Sequence, residues 1–394
     1  MISNAEIAAV VERITPDLIT FRRKLHAHPE LAFEEHVTAG LVADRLKNAQ
    51  IQVSTGIGGT GVVGILNGAT AGRRVGLRAD MDALPITEAS GVEFTSQVPG
   101  RMHACGHDVH TTIALGVAQV LADVRDQFDG GVKFIFQPAE ETLAGAAAMI
   151  ADGVLENPAM DVIVAFHNSP NVKTGLIGYN PSAVMASSDA FDITLKGKAS
   201  HAAHPHTGVD AIVGAAQLLY VLQTVISREI APVIPAVITV GQIDGGTARN
   251  VLADRVVIRG TARTLDAGAA MQVETSVRRI VAGVCQSVRL DHEITWKRQS
   301  PVVQNNPQAL AKVIASACDV MGKENVINMG PPSMGSEDFG WFAERLPAAH
   351  IRIGSKIDGL DTAIHRANYQ CNELVIPIGV RTLTRVILDL LADK

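Results

Sequence analysis

Residues 102 to 110 read Met-His-Ala-Cys-Gly-His-Asp-Val-His, three imidazoles and a thiol within nine residues. In an extended segment the side chains at i and i+2 share a face. Cys105 and His107 can therefore converge on one centre, with Gly106 allowing a tight bend between them. Ile113, Val117, Val120, Leu121 and Val124 then recur at helical spacing, which places the cluster on a loop entering a helix N-terminus. There the unpaired N–H groups and the helix dipole favour a thiolate, a strong ligand for a divalent metal. The plainer alternative is a few buried, hydrogen-bonded histidines beside a buried cysteine. Two metal motifs of similar spacing fail. His103 and His107 match the H-E-x-x-H spacing, but Ala104 stands where that chemistry needs its glutamate. Zinc deaminases need H-x-E and a later P-C-x-x-C, whereas Cys105, Cys285, Cys318 and Cys371 contain no C-x-x-C pair.

Other ligating groups follow short apolar runs. Val75 to Leu77 leads into Arg78-Ala79-Asp80-Met81-Asp82, Val132 to Phe136 into Gln137-Pro138-Ala139-Glu140-Glu141, and Val162 to Phe166 ends at His167. Ile351 to Ile353 precedes a loop carrying His365. Unalternated runs separated by helical patterns (Thr111 to Val124, Ala144 to Leu155) predict a mostly parallel sheet covered on both faces. Ligands of such sheets collect beyond the strands' C-terminal ends, so Cys105, His107, Glu141, His167 and His365 can meet at one rim. A thiolate, imidazoles and a carboxylate are too many for one tetrahedral zinc and suit two divalent metals. Glu140 and Glu141 point to opposite sides of an extended chain, so one can bind metal while the other moves a proton. A solvated acidic turn before a helix is the other reading of this pair. His26 and His28 read as structural or surface groups.

The elements that would position these groups divide in two. Thr15-Pro16 predicts the start of a helix that stops before Pro29, after an amphipathic N-terminal helix that lacks the features of a signal peptide. Between residues 187 and 301 the pattern becomes β-α-β-β-α-β. Its elements are strands Phe191 to Leu195, Val237 to Ile243, Val256 to Arg263 and His292 to Lys297, with helices Asp210 to Ile226 and Ala267 to Val284. This predicts a ferredoxin-like α+β lid inserted into an α/β catalytic domain formed by residues 1–186 and 302–394. The lid carries His201, His204 and His206, of which His201 is either a surface group or a donor to a developing oxyanion. Asn250 and Arg263 are candidates for holding a carboxylate. A net charge of −6 with interspersed signs and no basic stripe argues against a nucleic-acid partner. No stretch approaches the roughly 20 apolar residues of a membrane span. Four scattered cysteines fit a reducing compartment, and the cytoplasm is the expected location.

The motifs RRKLHAHPELAFEE, RADMDALP, MHACGHDVHT, FIFQPAEE, FHNSP, KASHAAHPH, GGTARN and MGSEDF, in this order, resemble the metal-dependent amidohydrolases that include hippurate hydrolase, N-acyl-amino-acid aminoacylases and auxin-conjugate hydrolases. The resemblance covers nearly the whole chain. It implies a zinc-peptidase-like catalytic domain with an inserted lid and two divalent ions, Mn²⁺ or Zn²⁺, with Ni²⁺ or Co²⁺ as further options. Their implied ligands are Cys105, His107, Glu141, His167 and His365. It further implies Glu140 as general base, His201 as the lid donor, Asn250 and Arg263 as substrate contacts, and Asp82 as a carboxylate behind the ligands. The expected substrate is a small N-acyl-amino acid, and the expected assembly is a homodimer formed through the lid. A dipeptidase of the same architecture and a non-catalytic, metal-stabilised binding protein are the rival readings. The stretch His365-Arg366-Ala367-Asn368-Tyr369-Gln370-Cys371 departs from the family pattern and makes its surroundings more cationic.

Overall fold

The structure is a computed structural model in which residues 2–393 are described. The first helix, Asn4–Ala27, opens with a reciprocal cap in which the Ser3 hydroxyl accepts the Glu6 N–H and the Glu6 carboxylate accepts the Ser3 N–H. It runs unbroken through Pro16, contrary to the helix start predicted at Thr15-Pro16. Ile7, Val11, Ile14, Leu18, Phe21 and Leu25 form one continuous buried stripe. Packing of that stripe outweighs the single N–H that the proline removes. The Thr15 hydroxyl meanwhile donates to the Val11 carbonyl at 2.7 Å. A second helix, His36–Asn48, and the strand Gln52–Ile57 were not anticipated.

The chain divides into two compact units, residues 1–184 with 303–331 and 338–394, and residues 185–302 with 332–337. The short segment 332–337 clusters with the second unit, whereas the sequence reading assigns it to the first. The core of the first unit is an eight-stranded sheet. Its strands run in the order Gln52–Ile57, Gly61–Asn67, Gly131–Gln137, Arg74–Asp80, Val162–Lys173, Ala348–Lys356, Ile177–Tyr179 and Val326–Asn328. The four central strands from Gly131–Gln137 to Ala348–Lys356 pair parallel, while the Gln52–Ile57 side is antiparallel, so the sheet is mixed and mostly parallel at its centre. Helix His107–Asp123 packs on it with Asn4–Ala27 and Val375–Leu391. All but two of its residues are fully buried, as expected of a helix covered on every side.

The sheet places the chemistry-bearing residues. Asp80 ends its strand, and Gln137 ends the parallel neighbour, directly before the Glu140-Glu141 turn. His167 departs from expectation, since its strand continues to Lys173 instead of ending at Phe166. The neighbouring strand pairs only with Val162 to Ala165, so His167 lies just past the paired stretch on that side and its ring is free to face the rim.

The second unit has its own buried cluster, including Phe191, Leu218, Ile258 and Val277. Its antiparallel sheet has the order Asp291–Ser300, Ser188–Lys196, Arg255–Thr264, Ala236–Gly245, covered by helices Ala211–Thr224 and Ala267–Val288. This is the expected β-α-β-β-α-β order. Helix Ala211–Thr224, extended by a π-helical turn to Glu229, has the length and apolar composition of a membrane span, with mean hydropathy 1.3. Gln217, Gln223, Arg228 and Glu229 interrupt its apolar residues. Its Leu218 and Leu222 are buried with the unit's core, while Ile212, Val213 and Tyr220 are exposed.

Candidate metal centre

Gly106 adopts φ +90° immediately before helix His107–Asp123. A Cβ there would stand 2.4 Å from the Tyr369 hydroxyl and 2.6 Å from Asn168 Oδ1, so both conformation and space demand glycine. The bend places the Cys105 thiol 3.2 Å from His167 Nε2. Three sets of ligand atoms, each mutually within 4.8 Å, overlap here: Cys105, His107 and His167; Cys105, Glu141 and His365; His107, Glu140 and Glu141. Within these three, Cys105, His107 and Glu141 are each shared by two, and His107 belongs to a further set with Asp80 and His110. All the metal ligands expected from sequence, together with Glu140, therefore converge within the first unit.

His107, Glu141, His167 and His365, four of the candidate ligands, are anchored by their neighbours. His107 Nδ1 lies 3.2 Å from Asp82 Oδ1, and the other oxygen of Asp82 accepts the Glu141 N–H at 3.0 Å, so one buried carboxylate aims an imidazole and anchors the turn. His167 Nδ1 donates to the Asn168 carbonyl at 2.6 Å, which leaves Nε2 for the centre. His365 has φ +63° and its N–H donates to the Ala104 carbonyl at 2.8 Å, which ties the last ligand to the segment bearing the first. A left-handed, non-glycine residue at a candidate ligand position is the kind of strain that surrounding contacts must hold in place.

The fit to metal rests on two buried atoms. His107 Nε2 and Glu141 Oε1 make no hydrogen bond, and they lie 3.9 Å apart. His365 Nε2 is 3.4 Å from the same Glu141 oxygen. Buried polar atoms without partners are costly, and a shared cation would satisfy both. Burial, then the Glu141 charge, pushes the Cys105 thiol up, against the thiolate expected of a helix terminus. His107 and His365 pull the other way, and a bound cation would favour the thiolate further. The Cys105 sulfur and the Glu141 carboxylate push His365 up to about 10. Burial drags His167 well down, helped by His110 and Arg352. Against its own burial, His107 is held well above its usual range by Asp80 and Cys105. A thiol, imidazoles and a carboxylate sharing members fit two divalent ions better than one.

Asp80, read from the sequence only as a strand-end carboxylate, gains its partners in the fold. Asp80 accepts from Arg78 at 2.7 Å and from His110 Nδ1 at 2.6 Å, and Asn168 N–H donates to His110 Nε2 at 2.9 Å. His110 belongs to the singled-out stretch, so only its partners were hidden. His103, also in that stretch, joins none of these sets. Both its nitrogens are buried without partners, and burial pushes it down to about 4, which makes it a neutral core imidazole. His26 is structural, held 2.8 Å from Asp108 and 3.1 Å from Glu88. His28 is exposed and bonds the Lys24 carbonyl. Arg366 is exposed, 3.8 Å from Asp361.

In the second unit His201 and Asn250 are neighbours. Residues 201 and 251 form an antiparallel bridge, and the Asn250 carbonyl accepts the Ala202 N–H at 3.0 Å. The Ala203 N–H donates to His201 Nδ1 at 3.0 Å, so the neutral ring carries its proton on Nε2. Arg263 lies on strand Arg255–Thr264, with Nη1 donating to Thr261 Oγ1 at 3.1 Å.

Mixed sheet, inserted antiparallel unit and convergent S, N and O ligands together define a metallopeptidase-like hydrolase. Residues 76–389 match the Peptidase family M20/M25/M40. An N-acetyl-L-cysteine deacetylase of Bacillus subtilis is 38% identical over 341 residues, 86% of this chain and 81% of that protein. A hippurate hydrolase of Campylobacter jejuni is 36% identical over 355 residues, 90% of this chain and 91% of that one. A solved Bacillus subtilis structure, described as a dinuclear metal binding peptidase from the M20 family, superposes with a TM-score of 0.85 at 31% identity, covering 97% of this chain and 99% of the other. The chain belongs to the Peptidase family M20/M25/M40 and is an enzyme.

Proposed function

We propose that this hydrolase is a cytoplasmic amidohydrolase that cleaves the amide of N-acyl-amino acids, releasing a carboxylic acid and a free amino acid. The observation that carries the reading is the overlap of three sets of potential ligand atoms, one of which includes Glu140. Cys105, His107, Glu141, His167 and His365 would hold two divalent ions, Mn²⁺ or Zn²⁺ by preference and Ni²⁺ or Co²⁺ otherwise. Ions so held lower the pKa of water and polarise a carbonyl. Glu140, whose Oε2 is 3.9 Å from His107 Nε2, takes the proton of the attacking water and passes it to the leaving amine. Asp82 keeps His107 and the Glu141 turn aligned. His201 donates its Nε2 proton to the developing oxyanion, a role supported by the tautomer that Ala203 selects. Asn250 and Arg263 bind the carboxylate of the amino acid.

We further propose a homodimer formed through the second unit. Ala236–Gly245 is an edge strand with Val237 and Ile243 exposed, which suits antiparallel pairing about a two-fold axis. Release of amino acid from hippurate, N-acetylated amino acids and simple dipeptides, each with Mn²⁺ or Zn²⁺, tests the activity. The expected result is turnover of the acylated substrates and not of dipeptides with a free α-amine. Turnover of the dipeptides alone would establish the exopeptidase reading, and no turnover of any would leave a metal-stabilised binding protein. A strictly monomeric mass in solution would remove the dimer.

A further inference from the structure

We propose that Glu35 is a positioning residue that aims Glu140 by accepting the backbone N–H of Ala139; the proposal rests on the reading of Glu140 as the proton-transferring base. Ala139 and Leu143, either side of the Glu140-Glu141 pair, adopt φ +53° and +55°. Left-handed conformations at residues bearing a Cβ persist only where neighbours enforce them. Inside the turn, the Ala139 carbonyl accepts the Ala144 and Gly145 N–H groups, and the Leu143 N–H donates to the Glu140 carbonyl at 2.7 Å. From outside, two buried carboxylates grip the N–H groups flanking Glu140: Asp82 holds Glu141 at 3.0 Å and Glu35 Oε1 holds Ala139 at 2.9 Å.

The position of Glu35 argues against a purely local role. It is the N-cap residue of helix His36–Asn48, yet its side chain makes no cap bond. Glu30 caps that helix instead, accepting the Val37 and Thr38 N–H groups at 3.0 and 2.8 Å. The Glu35 side chain is fully buried, and its second oxygen is fixed by the Thr60 hydroxyl. Burial pushes its carboxyl up, so the site opposes the charge it contains. A group kept at that cost, turned away from its own helix toward the Glu140 turn, serves the turn. It also absorbs the ELAFEE segment, which the proposed chemistry otherwise leaves unused.

The metal-loaded enzyme is compared as wild type, Glu35→Ala, Glu35→Gln, Glu140→Gln and the Glu35→Ala/Glu140→Gln pair, reading kcat, KM and bound metal. Glu35→Ala is expected to lower kcat by about 10²-fold, the scale of a misplaced reacting group, with KM and metal content unchanged. Glu35→Gln keeps a carbonyl acceptor for Ala139 and recovers most of kcat. In the Glu140→Gln background the Glu35→Ala loss disappears, because residues acting through one another are not additive. Unchanged kcat in Glu35→Ala, a Glu35→Gln as poor as Glu35→Ala, or the same loss repeated on Glu140→Gln would overturn the proposal. Should Glu35→Ala not fold, Thr60→Val carries the test, with a smaller kcat loss that also vanishes in the Glu140→Gln background; an additive loss overturns it. A fully active Glu140→Gln removes the base assignment and the proposal together. An inactive Glu140→Gln beside a fully active Glu35→Ala removes the proposal alone.

Discussion

Glu140 and Glu141 share a turn and a neighbour, His107 Nε2, from which each carboxylate stands 3.9 Å. They differ in that Glu141 Oε1 is also 3.4 Å from His365 and lacks any hydrogen bond. Neutralising each with glutamine therefore separates the roles. Glu140→Gln should retain both metals while kcat falls about 10²- to 10⁴-fold, the range for a lost acid–base group. Glu141→Gln should lose metal as well as activity. Metal analysis alongside kcat decides, and equal metal loss in both variants would reverse the assignment. At this scale the convergence of the candidate ligands was legible because Cys and His are chemically specific and cluster locally around Gly106. The partners of Glu35 and Asp80 were not, because Ala139 and His110 lie far along the chain, and a carboxylate in sequence carries no sign of which N–H or imidazole it will meet.

Between elements, helix Asn4–Ala27 is tied to helix His107–Asp123 by Arg22 and His26, both 2.8 Å from Asp108 Oδ2, and His26 reaches on to Glu88 at 3.1 Å. Burial opposes the charge on Glu88, yet the bonds from His26, the Ser90 hydroxyl and the Ser96 N–H bring it down to about 2. A carboxylate whose folded pKa is depressed contributes stability above its ordinary value near 4.5, and that contribution fades as pH falls through about 2. For His26, burial and Arg22 pull down but Asp108 and Glu88 prevail and hold it up, so its contribution is full below about 6.5 and lost as pH rises through the raised value. Glu88→Gln should thus melt lower than wild type, with the largest gap between about pH 4.5 and 6.5. The gap should close toward pH 2 and narrow on the alkaline side. A gap that stays constant from pH 3 to 9 by calorimetry would show that Glu88 acts through shape and not charge. Elements with continuous apolar runs were legible, as the central strands show. Helix Asn4–Ala27 was misdivided at Pro16 because the local proline signal is weaker than a buried stripe whose partners, helices His107–Asp123 and Val375–Leu391, lie distant in sequence.

Across the molecule, two separate buried clusters stabilise the two units, and Cys105, His107, Glu141, His167 and His365, the candidate ligands, all belong to the first. A ligand stabilises only the unit that holds it, by about 2.7 kcal/mol at a hundredfold excess over its Kd. Chelation should therefore lower the melting of the first unit and leave that of residues 185–302 in place, visible as two calorimetric transitions of which one moves. Both moving together would mean that the units unfold as one. The insertion pattern of the second unit was legible because its element order departs from the flanking grammar; the return of segment 332–337 to that unit was not, since six residues carry no periodicity to place them. The sheet order has a bearing on synthesis. Strand Ala348–Lys356 fills the gap between Val162–Lys173 and Ile177–Tyr179, and His365 follows it. While the chain is still emerging from the ribosome, Cys105, His107, Glu141 and His167 are already exposed to the cell's metal pool, but the sheet that should seat them is open at its centre. The inserted unit, whose strands are contiguous in sequence, can close during that interval. On the proposed ligand set, complete metallation must wait for nearly the last segment translated, so nascent chains stalled before residue 348 should emerge with a folded insert and an unfinished metal site.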